Sequence, residues 1–356
     1  MPKIILIIVL FFITVVQASD TANERQLSLV LLEAEDYLSV KPSKSLAMLS
    51  IKSDLSLLSE SQFFRWHITI IRAAVSLNNL PLIESSIKQL LAHKSSAEFE
   101  HQIVSILSGV GIWLRKSGYL KQARQTLLCA LTHNKSDNKK VKLLTSLAIV
   151  SRHLDQNENA IKAYNLAKHI AKDKNITTLL ATIENNLGVL ALESDNIIMA
   201  ESYFRNALAM YQLNSNRSGN VLSGINLLQI FLIRNQQQNY QRLSPSITRL
   251  TEAFPNETRK STLFWLKTVF KTRQGLTLNK HMLLQLEKSL YNIEDRKLQL
   301  SLLKHFAKEL NVNIELPKQA YQQGQAPLWL TEISQCDWGE LAHFRLEDLH
   351  KNEAIP

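Results

Sequence analysis

Residues 181–214 read ATIENNLGVLALESDNIIMAESYFRNALAMYQLN, and they decide the fold because the chain 40 residues upstream repeats their key positions. Leu187-Gly188, Ala200, Phe204 and Ala207 fall on Leu147-Ala148, Ala160, Tyr164 and Ala167. Each copy carries a large-small pair in one segment and a small-aromatic-small ladder in the next. Two antiparallel helices need that combination to approach closely and to stack on neighbours.

Working outward, Val110-Gly111 supplies an earlier large-small pair, Ser117-Gly118-Tyr119 a turn, and Ala123, Leu127 and Ala130 a ladder. Ala123 precedes Ala160 by 37 residues, which reads as a shorter linker between the two copies. Downstream, Asn226-Leu227-Leu228 continues the pattern of the first helix, whereas Tyr240, Ser244 and Ile247 keep little of the second. A terminal repeat has no neighbour on one side, so its small residues are not required.

The flanks are helical by spacing. Apolar residues Leu27, Val30, Leu31, Ala34 and Leu38 share one face over 22–40, Pro42-Ser43 starts a second helix, and 63–77 and 81–91 give two more. After the repeats, 258–273, 279–293 and 296–310 read as a helical cap, the last with Leu298, Leu302, Phe306 and Leu310 in step. Residues 312–356 begin with Pro317, Gly324 and Pro327 and then carry Trp329, Leu330, Ile333, Trp338, Leu341 and Phe344. That is too apolar for a disordered tail, and the expectation is a segment folding back on the helices. The expected divisions are 1–18, 19–103, 104–254, 255–311 and 312–356. The class is all-α.

The first 18 residues read as a secretory signal peptide: Lys3, an apolar run from Ile4 to Val16 interrupted only by Thr14, and Val16-Gln17-Ala18 before the cut. A helix of about 13 to 15 residues spans roughly 20 to 23 Å, short of the roughly 30 Å bilayer core. The expected location is across the inner membrane, in the periplasm. Net charge is +10, with the basic residues spread out apart from Lys135, Lys139, Lys140 and Lys142. Such a balance suits acidic partners, but no basic stripe with interleaved aromatics points to nucleic acid. Cys129 and Cys336 are the only thiols. A disulfide in an oxidising compartment is one reading, and Cys129 packed as a small apolar residue is the favoured one.

At the repeat positions the chain resembles the tetratricopeptide repeat family over about residues 104–254. The resemblance implies a right-handed superhelical solenoid of antiparallel helix pairs. Leu144 and Glu184 stand where an aromatic is common, and the closing Pro is missing. The 40-residue spacing is similar to the longer repeats of kinesin light chains and bacterial peptide-sensing regulators, which carry Asn beside the Leu-Gly pair. Asn186 and Asn226 match that feature, which implies that they face the groove and hydrogen-bond a ligand's backbone.

Chemistry favours the same role, because a carboxamide offers both a donor and an acceptor to an extended peptide unit without demanding a side chain. Asn185, Asn186, Asn226 and Gln229 would line one surface if successive first helices face inward. Arg115, Lys116, Lys142 and Arg152 on first helices would add a basic wall. The bland alternative for all eight is a solvated helix face.

No phosphate-binding loop, nucleophile elbow, EF-hand or zinc-protease spacing is present, so neither an enzyme nor a cofactor is expected. His343, Glu347, Asp348 and His350 form the nearest metal-like set and read as an ordinary charged helix. Asn134, Asn175, Asn216 and Asn256 lie in Asn-x-Ser/Thr sequons, of consequence only in a eukaryotic host. The expected function is an exported scaffold or adaptor that binds a peptide segment or protein partner in its groove. Membrane contact would come only through a partner, and self-association through an end repeat is compatible with the pattern. A periplasmic sensory module signalling through a separate membrane kinase or cyclase is the second reading, and an enzyme the third.

Overall fold

A computed structural model describes residues 23–38, 41–50, 54–253, 256–316, 327, 329–334 and 336. The expected signal peptide and the set from His343 to His350 lie outside the described residues. Every described element is a helix, and none is long and apolar enough to cross a membrane. The chain divides into two compact units, one within residues 1–134 and 323–356 and the other within 135–322. The break falls inside the stretch that sequence treats as continuous.

In the first unit α1 (residues 23–38), α2 (Pro42–Leu49), a 3-10 turn (Leu55–Leu57), α3 (Glu60–Leu77), α4 (Leu80–Ala92), α5 (Ala97–Lys116) and α6 (Leu120–Thr132) follow in order. Leu27, Leu31 and Ala34 of α1 meet Trp66 and Ile70 of α3 in one core cluster. Arg65 braces the same pair of helices by gripping both carboxylate oxygens of Glu35, at 3.1 and 2.6 Å. Ser59 and Gln62 start α3 with a reciprocal capping box, each satisfying the other's backbone amide.

The second unit is more regular. Helices α7 (Asp137–His153), α8 (Asn157–Asp173), α9 (Thr177–Glu193), α10 (Ile197–Leu213), α11 (Arg217–Ile233), α12 (Gln237–Ala253) and α13 (Glu257–Arg273) each have 17 residues. Between consecutive helices up to α12 lie three residues, of which the middle one is left-handed: Asp155, Asn175, Asp195, Ser215 and Asn235, with φ from 51° to 62°. The next amide then reaches back to the helix just ended, as in Gln156 N to Ser151 O at 2.9 Å and Asn196 N to Ala191 O at 2.8 Å. Asn and Asp tolerate this conformation because their short polar side chains satisfy local backbone groups. The 40-residue repeat therefore comes from longer helices with tight turns between them.

The 37-residue spacing has a different cause from the expected short linker. Helix α6 has 13 residues where α8 has 17, so a full turn of helix is missing, and the connection to α7 is one residue longer. The boundary between the units sits at that connection. The sequons have a local explanation as well. Asn216 and Asn256 are N-caps accepting from Gly219 N at 2.9 Å and Arg259 N at 3.0 Å, and Asn175 is a left-handed turn residue.

The large-small logic is visible where α9 meets α10. A Cβ added to Gly188 would lie 2.6 Å from Phe204 Cε1. Gly111 relates to Leu127 in the same way at 2.7 Å in the first unit. At the aligned positions Ala148 goes with Tyr164 and Leu228 with Ser244, so bulk shifts from one helix to the other while the pair keeps its volume.

Helix α14 (Lys280–Tyr291) and α15 (Arg296–Phe306) extend the core of the second unit, where Trp265, Leu286, Leu290, Leu302, Phe306 and Leu310 belong to one cluster. Back in the first unit, α16 (Trp329–Ser334) packs on α6, and the Trp329 ring lies 5.3 Å from that of Trp113. This placement corrects the favoured reading of Cys129 as an unpaired core residue. Cys129 and Cys336 are bonded, with their Cα atoms 5.8 Å apart, because the docking of α16 on α6 brings Cys336 to Cys129.

Replacing Gly188 with Ala forces Phe204 or the helix pair to move and is expected to cost about 1 to 3 kcal/mol. Thermal unfolding of the variant should show a lower midpoint with helix content retained; an unchanged midpoint would mean that the ring shifts without penalty.

Candidate binding surface

The first helices of the repeats, α7, α9 and α11, carry the residues singled out from sequence in the second unit. Sliding by 40 aligns Ser146, Asn186 and Asn226 in one column and Ile149, Val189 and Gln229 in another, one helical turn further on. Asn186 is half-buried, while Asn226 is 9% and Gln229 0% exposed. Asn185 lies just inside at 2%, and its Oδ1 accepts from Ser223 Oγ and from Asn226 Nδ2, both at 3.0 Å. Asn185 Nδ2 donates to Asn186 Oδ1 at 3.5 Å. These bonds join α9 to α11, so the Asn group stitches neighbouring repeats together and presents Asn186 at its outer edge.

Glu184 belongs to the same stitching. It is 3% exposed where the family pattern has an aromatic, and it pairs with Lys168 of α8 at 2.5 Å. Glu201 does the equivalent between α10 and the end of α11, bonding Arg205 and Arg234. Burial alone would raise the Glu201 carboxyl, but the hydrogen bonds and charges of the two arginines hold it below its ordinary value.

The basic residues are distributed unequally. Lys142 is exposed on α7. Arg115 and Lys116 belong to the first unit, where both are half-buried in the last turn of α5 and Lys116 Nζ donates to Asn78 Oδ1 at 2.6 Å. Arg152 is 7% exposed at the end of α7 and is engaged by two carboxylates. Its Nε donates to Glu193 Oε1 at 2.8 Å, and its Nη2 bonds the same oxygen and Asp295 Oδ2, the latter at 2.9 Å.

Asp295 is the N-cap of α15, and this contact reveals the route of that helix. Lys297 Nζ donates to Arg152 O at 2.6 Å and pairs with Asp155 at 2.8 Å. Further along, Ser301 Oγ accepts from Gln229 Nε2 at 3.0 Å, Lys304 pairs with Asp195 at 3.0 Å, and Glu309 is gripped by Arg273 at 2.7 and 2.8 Å. Helix α15 thus crosses the C-terminal ends of α7 and α9 and sits on the Gln229 column of α11. Beside it lies a cleft of about 440 Å³ lined by residues that include Asp155, Glu193, Leu300, Lys304 and His305. The Gln229 carbonyl oxygen is buried with no hydrogen-bond partner among the described residues.

Sequence reasoning missed Glu193, Asp295 and Lys297. They meet Arg152 across separations of 41, 143 and 145 residues, and no short pattern encodes such a contact. The one available signal was the charge at the helix starts and ends, with Asp295 preceding α15 and Arg152 closing α7.

Burial alone would lift the Asp295 carboxyl, but the charge of Arg152, with His153 and the Lys297 amide, holds it below the ordinary range. The stabilisation is therefore complete above the unfolded value of about 3.9 and is lost as pH falls through the lower folded value. Asp295→Asn at neutral pH is expected to cost about 2 kcal/mol. Unfolding curves from pH 7 to 2 should show this difference shrinking below about pH 4; a pH-independent difference would contradict the ion pair.

No protein-family model and no curated relative matches the chain. Among solved structures it is similar to the Rap conjugation gene regulator of the plasmid pLS20 in complex with the Phr* peptide. That pair has 13% identity and a TM-score of 0.54, over 80% of this chain and 95% of the other. A Rap protein complexed with Competence and Sporulation Factor has 12% identity and a TM-score of 0.40, over 81% and 97%. The apo form of RapI has 10% identity and a TM-score of 0.38, over 87% and 96%. At such identity the first of these likenesses is one of fold, that of an all-helical repeat protein.

Proposed function

We propose that the unit within residues 135–322 binds a polypeptide segment on the face of its first helices, and that α15 is the resident occupant of one end of that face. The observation that carries this reading is the seat of α15. An 11-residue helix is held there through side chains of Gln229, Arg152 and Asp195, and half of the Gln229 carboxamide has no partner among the described residues. A face that accepts one helix through polar groups has the chemistry to accept another chain. Asn186 and the exposed Lys142 extend it beyond α15. The structural neighbour solved with the Phr* peptide supports a peptide as ligand.

The setting we propose is an exported scaffold or adaptor in an envelope assembly, on the strength of the apolar run from Ile4 to Val16 before Ala18. A sensory role is the second reading, and the seat of α15 favours it. A ligand competing for Gln229 and Arg152 would release that helix and so report its own binding.

Two measurements test these readings. Peptides selected from a random library on the purified protein should bind Asn186→Ala about tenfold more weakly, a loss of about 1.4 kcal/mol. Equal affinity in a folded Asn186→Ala variant removes the Asn column from the site. For export, N-terminal sequencing of the protein recovered from its native host should begin at Ser19; a chain retaining Met1 or Pro2 removes the signal peptide.

A further inference from the structure

At the end of α6 in the first unit, Cys129 and His133 stand one helical turn apart, and Cys336 is joined to Cys129. The two sulfurs and an imidazole nitrogen of His133 all lie within 4.8 Å of one another. His133 Nε2 is buried and has no hydrogen-bond partner among the described residues. Nothing in the repeat architecture requires a histidine beside a disulfide, and an imidazole nitrogen left unpaired there is a donor atom without a task. We propose that, when the disulfide is reduced, Cys129, Cys336 and His133 bind a monovalent copper ion.

Three features select that ion. Two thiolates and an imidazole are soft or borderline ligands, which favour Cu(I) and Zn(II) over the hard cations. Among the described residues the cluster offers three ligands, which complete a trigonal Cu(I) site, whereas Zn(II) on the same set would need a water as its fourth ligand. Cys129 is 4% exposed and both His133 and Cys336 are half-buried, so a copper ion bound there is partly shielded from water.

The conversion balances with a dithiol as reductant. Thiolate attack on the disulfide transfers two electrons and two protons to the Cys129–Cys336 pair, and the reductant leaves as its own disulfide. Binding of Cu(I) then releases both thiol protons to solvent and forms two S–Cu bonds and one N–Cu bond. Ligand atoms bound to one metal ion at about 2.0 to 2.3 Å lie within roughly 4 Å of each other, so side-chain rotation suffices to close the site. In that state the metal holds α16 on α6 in place of the covalent bond.

The test uses the full chain, oxidised or reduced with a dithiol and freed of it without air. It is titrated with Cu(I) against a colorimetric Cu(I) chelator, and in parallel with Zn(II) against a zinc dye. The expected result is one Cu(I) per reduced chain and none per oxidised chain. Cys336→Ser should abolish binding, and His133→Ala should weaken it about tenfold or more while circular dichroism is unchanged. Absence of Cu(I) binding by the reduced wild-type protein overturns the proposal. So does His133→Ala binding as tightly as wild type, since the histidine is then not a ligand. Binding of zinc without copper overturns the choice of ion.

Discussion

The second unit depends on one constraint, the reversal of the chain within three residues after each helix from α7 to α11. A left-handed residue at each of these five turns ends one helix and starts the next without a loop that could drift. It follows that α7, α9 and α11 finish along the same edge, each presenting unsatisfied carbonyls and the negative end of its dipole. The described structure answers that edge with cations. Lys297 caps the Arg152 carbonyl of α7, Lys304 meets Asp195 after α9, and Arg273 Nη1 donates to Leu232 O near the end of α11. The path of α15 is thus a consequence of the turn geometry as much as of its own apolar face.

How much of this was legible follows from the range of the contacts. The 40-residue slide exposed the helix pairs because close packing needs small residues at fixed offsets, and Gly188 against Phe204 is such a contact. Ala123 to Ala160 also gave the right offset, but a count of residues cannot distinguish a lost helical turn from a shortened linker. Only the position of Thr132 at the end of α6 does so. The disulfide was hidden for a related reason, because Cys129 and Cys336 are 207 residues apart and their meeting depends on where α16 docks. The column of Asn186 and Asn226 was readable as a column. Its partial use in the interior was not, since Asn185 and Ser223 lie on different helices.

That internal use changes what the polar residues of the repeats mean. A buried carboxamide must find partners or incur the penalty of desolvation, roughly 1 to 3 kcal/mol. Asn185 finds them on α11, Glu184 on α8 and Glu201 at the end of α11. Each bond links elements that would otherwise meet only through apolar contacts, which slide more easily. The polar groups of α9 therefore divide by depth, with Asn185 and Glu184 fixing how repeats stack and Asn186 left at the rim.

The Arg152 cluster extends the same logic to α15. A buried ion pair contributes little net stability, because taking both charges out of water offsets most of their attraction. Its effect is on choice of register. If α15 slipped by one turn along the edge, Leu302 and Phe306 could be replaced by other apolar residues, since Leu298 and Leu310 share their face. Asp295 could not be replaced in this way. Arg152 would lose one of its two carboxylates, Lys297 would leave the α7 carbonyl, and Ser301 would leave Gln229. Hydrophobic burial thus holds α15 against the unit, while the ionic and amide contacts select where it sits.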